Sequence, residues 1–87
     1  MKIAFICTGN SARSQMAEGF AKYFAKIYNK NIEIYSAGSN PTGYVHPLAI
    51  KVMKEISIDI SNQYSKSLNE IPYKELNLVI TVCGDAK

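Results

Sequence analysis

Short unbroken apolar runs alternate with longer stretches of helical periodicity along this chain of 87 residues. After Lys2, the residues Ile3-Ala4-Phe5-Ile6 run together without polar alternation, the pattern of a strand buried on both faces of a parallel sheet. From Ser11 to about Tyr28 the spacing turns helical, with Met16, Phe20, Tyr23, Phe24 and Ile27 on one side and Lys22, Lys26 and Asn29 on the other. That methionine and aromatic stripe is expected to face the core. Ile32 to Ala37 predicts a second strand, closed by the turn-rich run Gly38-Ser39-Asn40-Pro41-Thr42-Gly43. Pro47 opens a second helix, His46 to about Glu55, with Leu48, Ile50, Val52, Met53 and Ile56 as its apolar positions. Ser61 to Glu75 reads as a loop with a short helix near Pro72 to Glu75, and Leu76 to Cys83 as a third buried strand.

The order strand, helix, strand, helix, strand implies right-handed crossovers and an α/β fold, a parallel sheet covered on both faces. A flavodoxin-like order 2-1-3 puts the first strand in the middle, so that Cys7 stands at the switch point where the two crossovers diverge. The third strand then lies beside the first and both end on one edge, which brings the sulfur of Cys83 within reach of Cys7. All 87 residues are expected to form a single domain.

Composition narrows the function without naming it. Hydrophobic residues make up 47% and charged residues 20%, as in a folded globular chain. Ten basic and seven acidic residues leave a net charge of +3, spread through Lys22, Lys26, Lys30, Lys51, Lys54, Lys66 and Lys74 without a block. This balance suits a small anion, whereas a nucleic-acid surface needs clustered basic residues with interleaved aromatics. Neither a secretory signal nor a membrane span is visible, so a cytoplasmic location is expected, where two cysteines are more plausibly redox-active than bridged. Cys7 and Cys83 with one histidine make no metal-ligand pattern, and no cofactor is expected. His46, at a helix start, reads as structural or surface.

The chemistry concentrates in Cys7-Thr8-Gly9-Asn10-Ser11-Ala12-Arg13-Ser14, between the first strand and the first helix. Five residues separate Cys7 from Arg13, enough to curl the backbone so that the N–H groups of Thr8 to Arg13 converge on an oxyanion. The same positive environment favours the thiolate, the nucleophilic form of Cys7, and Arg13 adds a planar fork of donors. A cysteine ending an apolar strand is otherwise a small buried hydrophobe. Ser14 is placed either to donate a hydrogen bond to Cys7 or to cap the helix.

The Cys-x5-Arg loop, the blocks Arg13-Ser14-Gln15-Met16-Ala17-Glu18-Gly19, Tyr35-Ser36-Ala37-Gly38 and Ile58-Asp59-Ile60-Ser61, and the end Val79-Ile80-Thr81-Val82-Cys83-Gly84-Asp85 together resemble the thioredoxin-coupled arsenate reductases built on the low-molecular-weight protein tyrosine phosphatase fold. The resemblance implies that Cys7 attacks arsenate, that Cys83 then attacks Cys7, and that arsenite leaves as a Cys7–Cys83 disulfide forms. Cys7, Arg13, Cys83 and Ser14 are then the catalytic residues, Thr8 to Arg13 the oxyanion loop, arsenate or phosphate the ligand and thioredoxin the electron donor. Asn10, Glu18 and Ser36 resemble positions that orient the loop or bind a monovalent cation. Lys66 stands where that cation site usually has an acidic residue, so its ammonium is expected in the cation's place. Ala12 replaces a cysteine common in the loop of relatives. The resemblance also implies a further cysteine, an Asp-Pro loop, a fourth strand and a last helix beyond Lys87, so the domain is expected to be truncated. Two other functions remain open at this point: a phosphatase working through a phosphocysteine at Cys7, and a non-catalytic oxyanion-binding remnant.

Overall fold

A computed structural model describes residues 1–82. Three parallel strands, β1 (Lys2–Cys7), β2 (Glu33–Gly38) and β3 (Leu78–Thr81), form a sheet of order β2-β1-β3. In register, Ile3 lies between Ile34 and Leu78, and Phe5 between Ser36 and Ile80. The pleat sends Ile3 and Phe5 to one face and Ala4 and Ile6 to the other. Helix α1 (Arg13–Ile27) packs against β1 and β2 on the first of these faces. On the second, Ala4 and Ala37 are sealed by Ile71, Leu68 and Leu76, from the segment that carries two single-turn 3-10 helices, Leu68–Glu70 and Tyr73–Glu75.

Helix α2 (Pro47–Glu55) starts where the sequence puts it, because Pro47 is pre-set for the first helical position and the His46 ring accepts a hydrogen bond from the Leu48 amide at 3.0 Å. It packs against α1 rather than on the sheet, through Ala49 and Met53, with Ile58 and Ile60 from the segment after it and Met16 and Ala12 in the same cluster. Gly19 makes that approach possible: a methyl group there would meet Ile60 Cγ2 at 2.5 Å and Met53 Cε at 3.1 Å.

Two expectations need correction. The buried face of α1 is not the aromatic stripe but Ser14, Gln15, Glu18 and Gly19, while Phe20, Tyr23, Phe24 and Ile27 are 37–54% exposed. Phe24, Ala21 and Tyr28 instead line a shallow apolar groove with Ile3, Ile32 and Ile34. The third strand is shorter than its apolar run, because Leu76 turns into the cluster around Ile71, and Leu78 and Val79 lie at an exposed edge. Cys83 and its predicted approach to Cys7 lie outside the described residues.

Candidate active site

The end of β1 and the start of α1 are joined by a loop whose carbonyls are all held by the surrounding scaffold. Cys7 O accepts from the Ser39 amide, Thr8 O from Asn40, Gly9 O from Thr42, Ser11 O from His46 and Ala12 O from Met16, at 2.7–3.1 Å. Gly9 O also accepts from the Ser65 hydroxyl, and Asn10 O from Gln15 Nε2. In a planar trans peptide the N–H points opposite to the C=O. Anchoring these carbonyls outward therefore turns the amides of the following residues the other way, into the concavity of the loop. An anion there meets converging N–H dipoles at the head of α1, where the helix field favours negative charge. Arg13, exposed, is the first residue of that helix.

Cys7, buried at the mouth of this loop, has two hydrogen-bond partners at its sulfur. The Asn10 amide donates to Sγ at 3.1 Å, and Ser14 Oγ lies 2.9 Å away. Ser14 Oγ in turn accepts from Asn10 Nδ2 at 2.8 Å, which leaves the serine hydrogen for the sulfur. The alternative role for Ser14 is excluded, because the N-cap of α1 is Ala12 and no side chain caps it. Both partners of the sulfur can thus supply hydrogens, as a thiolate acceptor requires.

Asn10 is the centre of the arrangement. Its φ of +47° lies in the left-handed region, which asparagine tolerates better than most residues. Fully buried, it spends both amide hydrogens on serine oxygens, Ser14 and Ser36 at 3.0 Å, and its Oδ1 accepts from Gln15 Nε2 and the Lys66 amide. Ser36 passes its own hydrogen to Glu18 Oε1. No buried side-chain nitrogen or oxygen among the described residues lacks a partner.

Glu18, on α1, faces two ammonium groups. Lys22 reaches its Oε2 at 2.5 Å from the solvent side, and the buried Lys66 lies 3.9 Å from Oε1 on the inner side. Burial pushes the Lys66 ammonium below the ordinary lysine range, and the charge of Glu18 pulls it partly back. The Lys66 ammonium faces the same Glu18 oxygen that accepts from Ser36, the place where the resemblance otherwise puts a monovalent cation. His46 is exposed and caps α2 with its ring, as expected of a structural or surface residue, while its backbone amide holds Ser11 O.

The loop is legible in the sequence, and the resemblance points to Asn10, Glu18 and Ser36, but further supports of the loop are not legible there. Gln15, Gln63 and Tyr64 hold it: Gln15 Nε2 also donates to Tyr64 O, and Gln63 Nε2 to Gln15 O and Oε1. The available signal is that Ser14, Gln15 and Glu18 form a polar stripe at helical spacing, continued by Lys22. Gly38 is a further support. A methyl group there would lie 2.4 Å from Thr8 O and 3.0 Å from the Asn10 amide nitrogen, so only glycine lets β2 close on the loop.

The family model described as low molecular weight phosphotyrosine protein phosphatase matches residues 2–87. The chain belongs to this family. Among individual relatives, it is 52% identical over 84 residues to an arsenate reductase of Staphylococcus aureus, covering 97% of this chain and 61% of that one. Among solved structures, a low molecular weight protein tyrosine phosphatase from T. tengcongensis superposes with a TM-score of 0.85 at 38% identity, over 93% of this chain and 57% of that chain. An arsenate reductase in the phosphate binding state superposes with a TM-score of 0.84 at 41% identity, over 99% and 63%. The chain therefore spans about three fifths of the length of these relatives. Membership fixes the fold, and a phosphatase and an arsenate reductase superpose on it equally well.

Proposed function

We propose that this chain carries the first steps of arsenate reduction, with Cys7 as nucleophile, Arg13 and the amides of Thr8 to Arg13 as the oxyanion cradle, and Ser14 as the donor that holds the thiolate. The observation that carries it is the sulfur of Cys7, flanked by two hydrogens at the mouth of a loop whose amides turn inward. The likeness to an arsenate reductase at about half identity over nearly the whole chain favours reduction over phosphate transfer. The Cys7 thiolate attacks arsenic(V) and an arsenate oxygen leaves as water, giving a thiol–arsenate adduct. The Cys83 thiolate then attacks Cys7 Sγ. The S–As bond breaks, its electron pair goes to arsenic, arsenite departs, and a Cys7–Cys83 disulfide holds the oxidation. Thioredoxin, a dithiol donor, restores both thiols, which suits a reducing, cytoplasmic setting. No helix among the described residues is long and apolar enough to cross a membrane.

Aryl phosphate hydrolysis separates this reading from its alternative. A phosphatase working through a phosphocysteine keeps its turnover in Cys83→Ser, whereas the reductase reading predicts arsenite release that the same substitution abolishes, with at most slow aryl phosphate hydrolysis. Full phosphatase turnover together with no arsenite from the wild-type chain would sink the proposal.

A further inference from the structure

Residue 66 bears on Asn10 by two routes, one direct and one through intervening side chains. Its backbone amide donates to Asn10 Oδ1 at 2.8 Å. From the other end, Asn10 Nδ2 donates to Ser36 Oγ, Ser36 donates to Glu18 Oε1, and that carboxylate faces the Lys66 ammonium. The circuit returns to the residue it started from. It is tied to the rest of the fold as well: Lys66 O accepts from the Gly38 amide at 2.9 Å, at the end of β2. The ammonium donates to Tyr64 O at 2.8 Å and lies 4.4 Å from the centre of the Tyr64 ring. Tyr64 O is also the acceptor for Gln15 Nε2, which holds Asn10 Oδ1.

A buried lysine is costly unless it is paired and hydrogen-bonded. A lysine 6% exposed, with a carboxylate 5% exposed beside it, is therefore a feature to be explained. What it constrains is Asn10, held at a positive φ, and Asn10 governs both contacts at the Cys7 sulfur: it donates its own amide hydrogen and it orients the Ser14 hydroxyl.

We propose that Lys66 is a positioning residue for Cys7, which closes a circuit through Glu18, Ser36 and Asn10 and so keeps both donors aimed at the sulfur. This rests on the reading of Cys7 as the nucleophile. Lys66 touches neither the sulfur nor a bound oxyanion in this role; it acts through Asn10. The charged groups that bear on the circuit are Glu18 and Lys22 on α1, and Glu70 beyond Lys66.

The test is the rate at which iodoacetamide alkylates Cys7 across pH 5 to 9, followed site by site by peptide mass mapping of the whole chain. Wild type is compared with Lys66→Met, which keeps the stem and removes the charge, and Lys66→Gln, which keeps a donor for Tyr64 O. Circular dichroism establishes which variants are folded. The expected result is a profile moved up by about one pH unit in the folded variants, and so a roughly tenfold lower rate at neutral pH, since only the thiolate reacts. A profile that overlays wild type in either folded variant overturns the proposal, even if its melting temperature drops, because a merely structural lysine would change stability alone. Failure of the parent reading looks different: wild type then forms no Cys7 disulfide with arsenate, whatever the variants do.

Discussion

Asn10 and Ser14 determine how the Cys7 sulfur is presented, and each can be removed separately. Ser14→Ala deletes one hydrogen at the sulfur and leaves one hydrogen of Asn10 Nδ2 without its buried acceptor. Cys7 alkylation at pH 7 is expected to slow about tenfold, and the urea midpoint to fall by the equivalent of ~1–3 kcal/mol, the cost of an orphaned buried donor. An unchanged alkylation rate would show that the hydroxyl does not hold the thiolate. Lys66 gives a prediction in pH. Burial lowers its ammonium below the ordinary 10.5, with Glu18 opposing and Lys22 adding to the shift. Between the lowered folded value and 10.5 the unfolded chain binds the proton that the folded chain has lost, so this contribution rises with pH through that window and is a constant cost below it. The difference in unfolding free energy between wild type and Lys66→Met should therefore move in favour of wild type as pH is raised from 8 towards 10.5. Paired urea titrations measure it, and a difference that is flat or of opposite slope contradicts the assignment.

At the scale of elements, the site depends on how closely β2 comes to the loop after β1. Gly38→Ala puts a methyl group 2.4 Å from the Thr8 carbonyl, a backbone atom that cannot swing aside. The expected result is a loss of about 1–3 kcal/mol from overpacking, with phosphate affinity falling by at least tenfold because Thr8 and Asn10 shift together. Equilibrium dialysis with inorganic phosphate reads the binding, and wild-type affinity would show that the loop tolerates the displacement. The same scale shows what could be read from the chain. β1, β2 and the start of α2 follow from apolar runs and from Pro47, because local pattern and local structure agree there, whereas Leu48, Val52 and Ile56 stay exposed and α2 buries Ala49 and Met53. The inward face of α1 does not follow, because it is chosen by partners distant in sequence. Ser14, Gln15 and Glu18 turn in to meet Asn10, Ser36, Gln63 and Lys66, and Gly19 turns in to admit Met53 and Ile60. A moment built from hydrophobicity favours Phe20, Tyr23 and Phe24 over that polar stripe. Cys7 and Arg13 were legible from spacing, and Ser14 as one of two roles; Gly38 and Gln15 were not, because their part is to support the loop's backbone.

Over the whole molecule, the sheet order β2-β1-β3 puts Cys7 at the carboxyl end of the central strand, where crossovers diverge and anions meet helix termini and loop amides. That much follows from the alternation of runs and helices. A net charge of +3, carried by scattered lysines, favours the approach of an anion without specifying it. What distinguishes a reductase from a phosphatase on this fold is therefore a matter of sulfur chemistry at Cys7 and Cys83. The central measurement is non-reducing peptide mass mapping of the fully reduced chain after incubation with arsenate, with phosphate as the control. The account predicts a Cys7–Cys83 disulfide that forms with arsenate, is absent with phosphate, and appears together with one equivalent of arsenite. Both cysteines still reduced after arsenate, in a sample that circular dichroism shows to be folded, would contradict it.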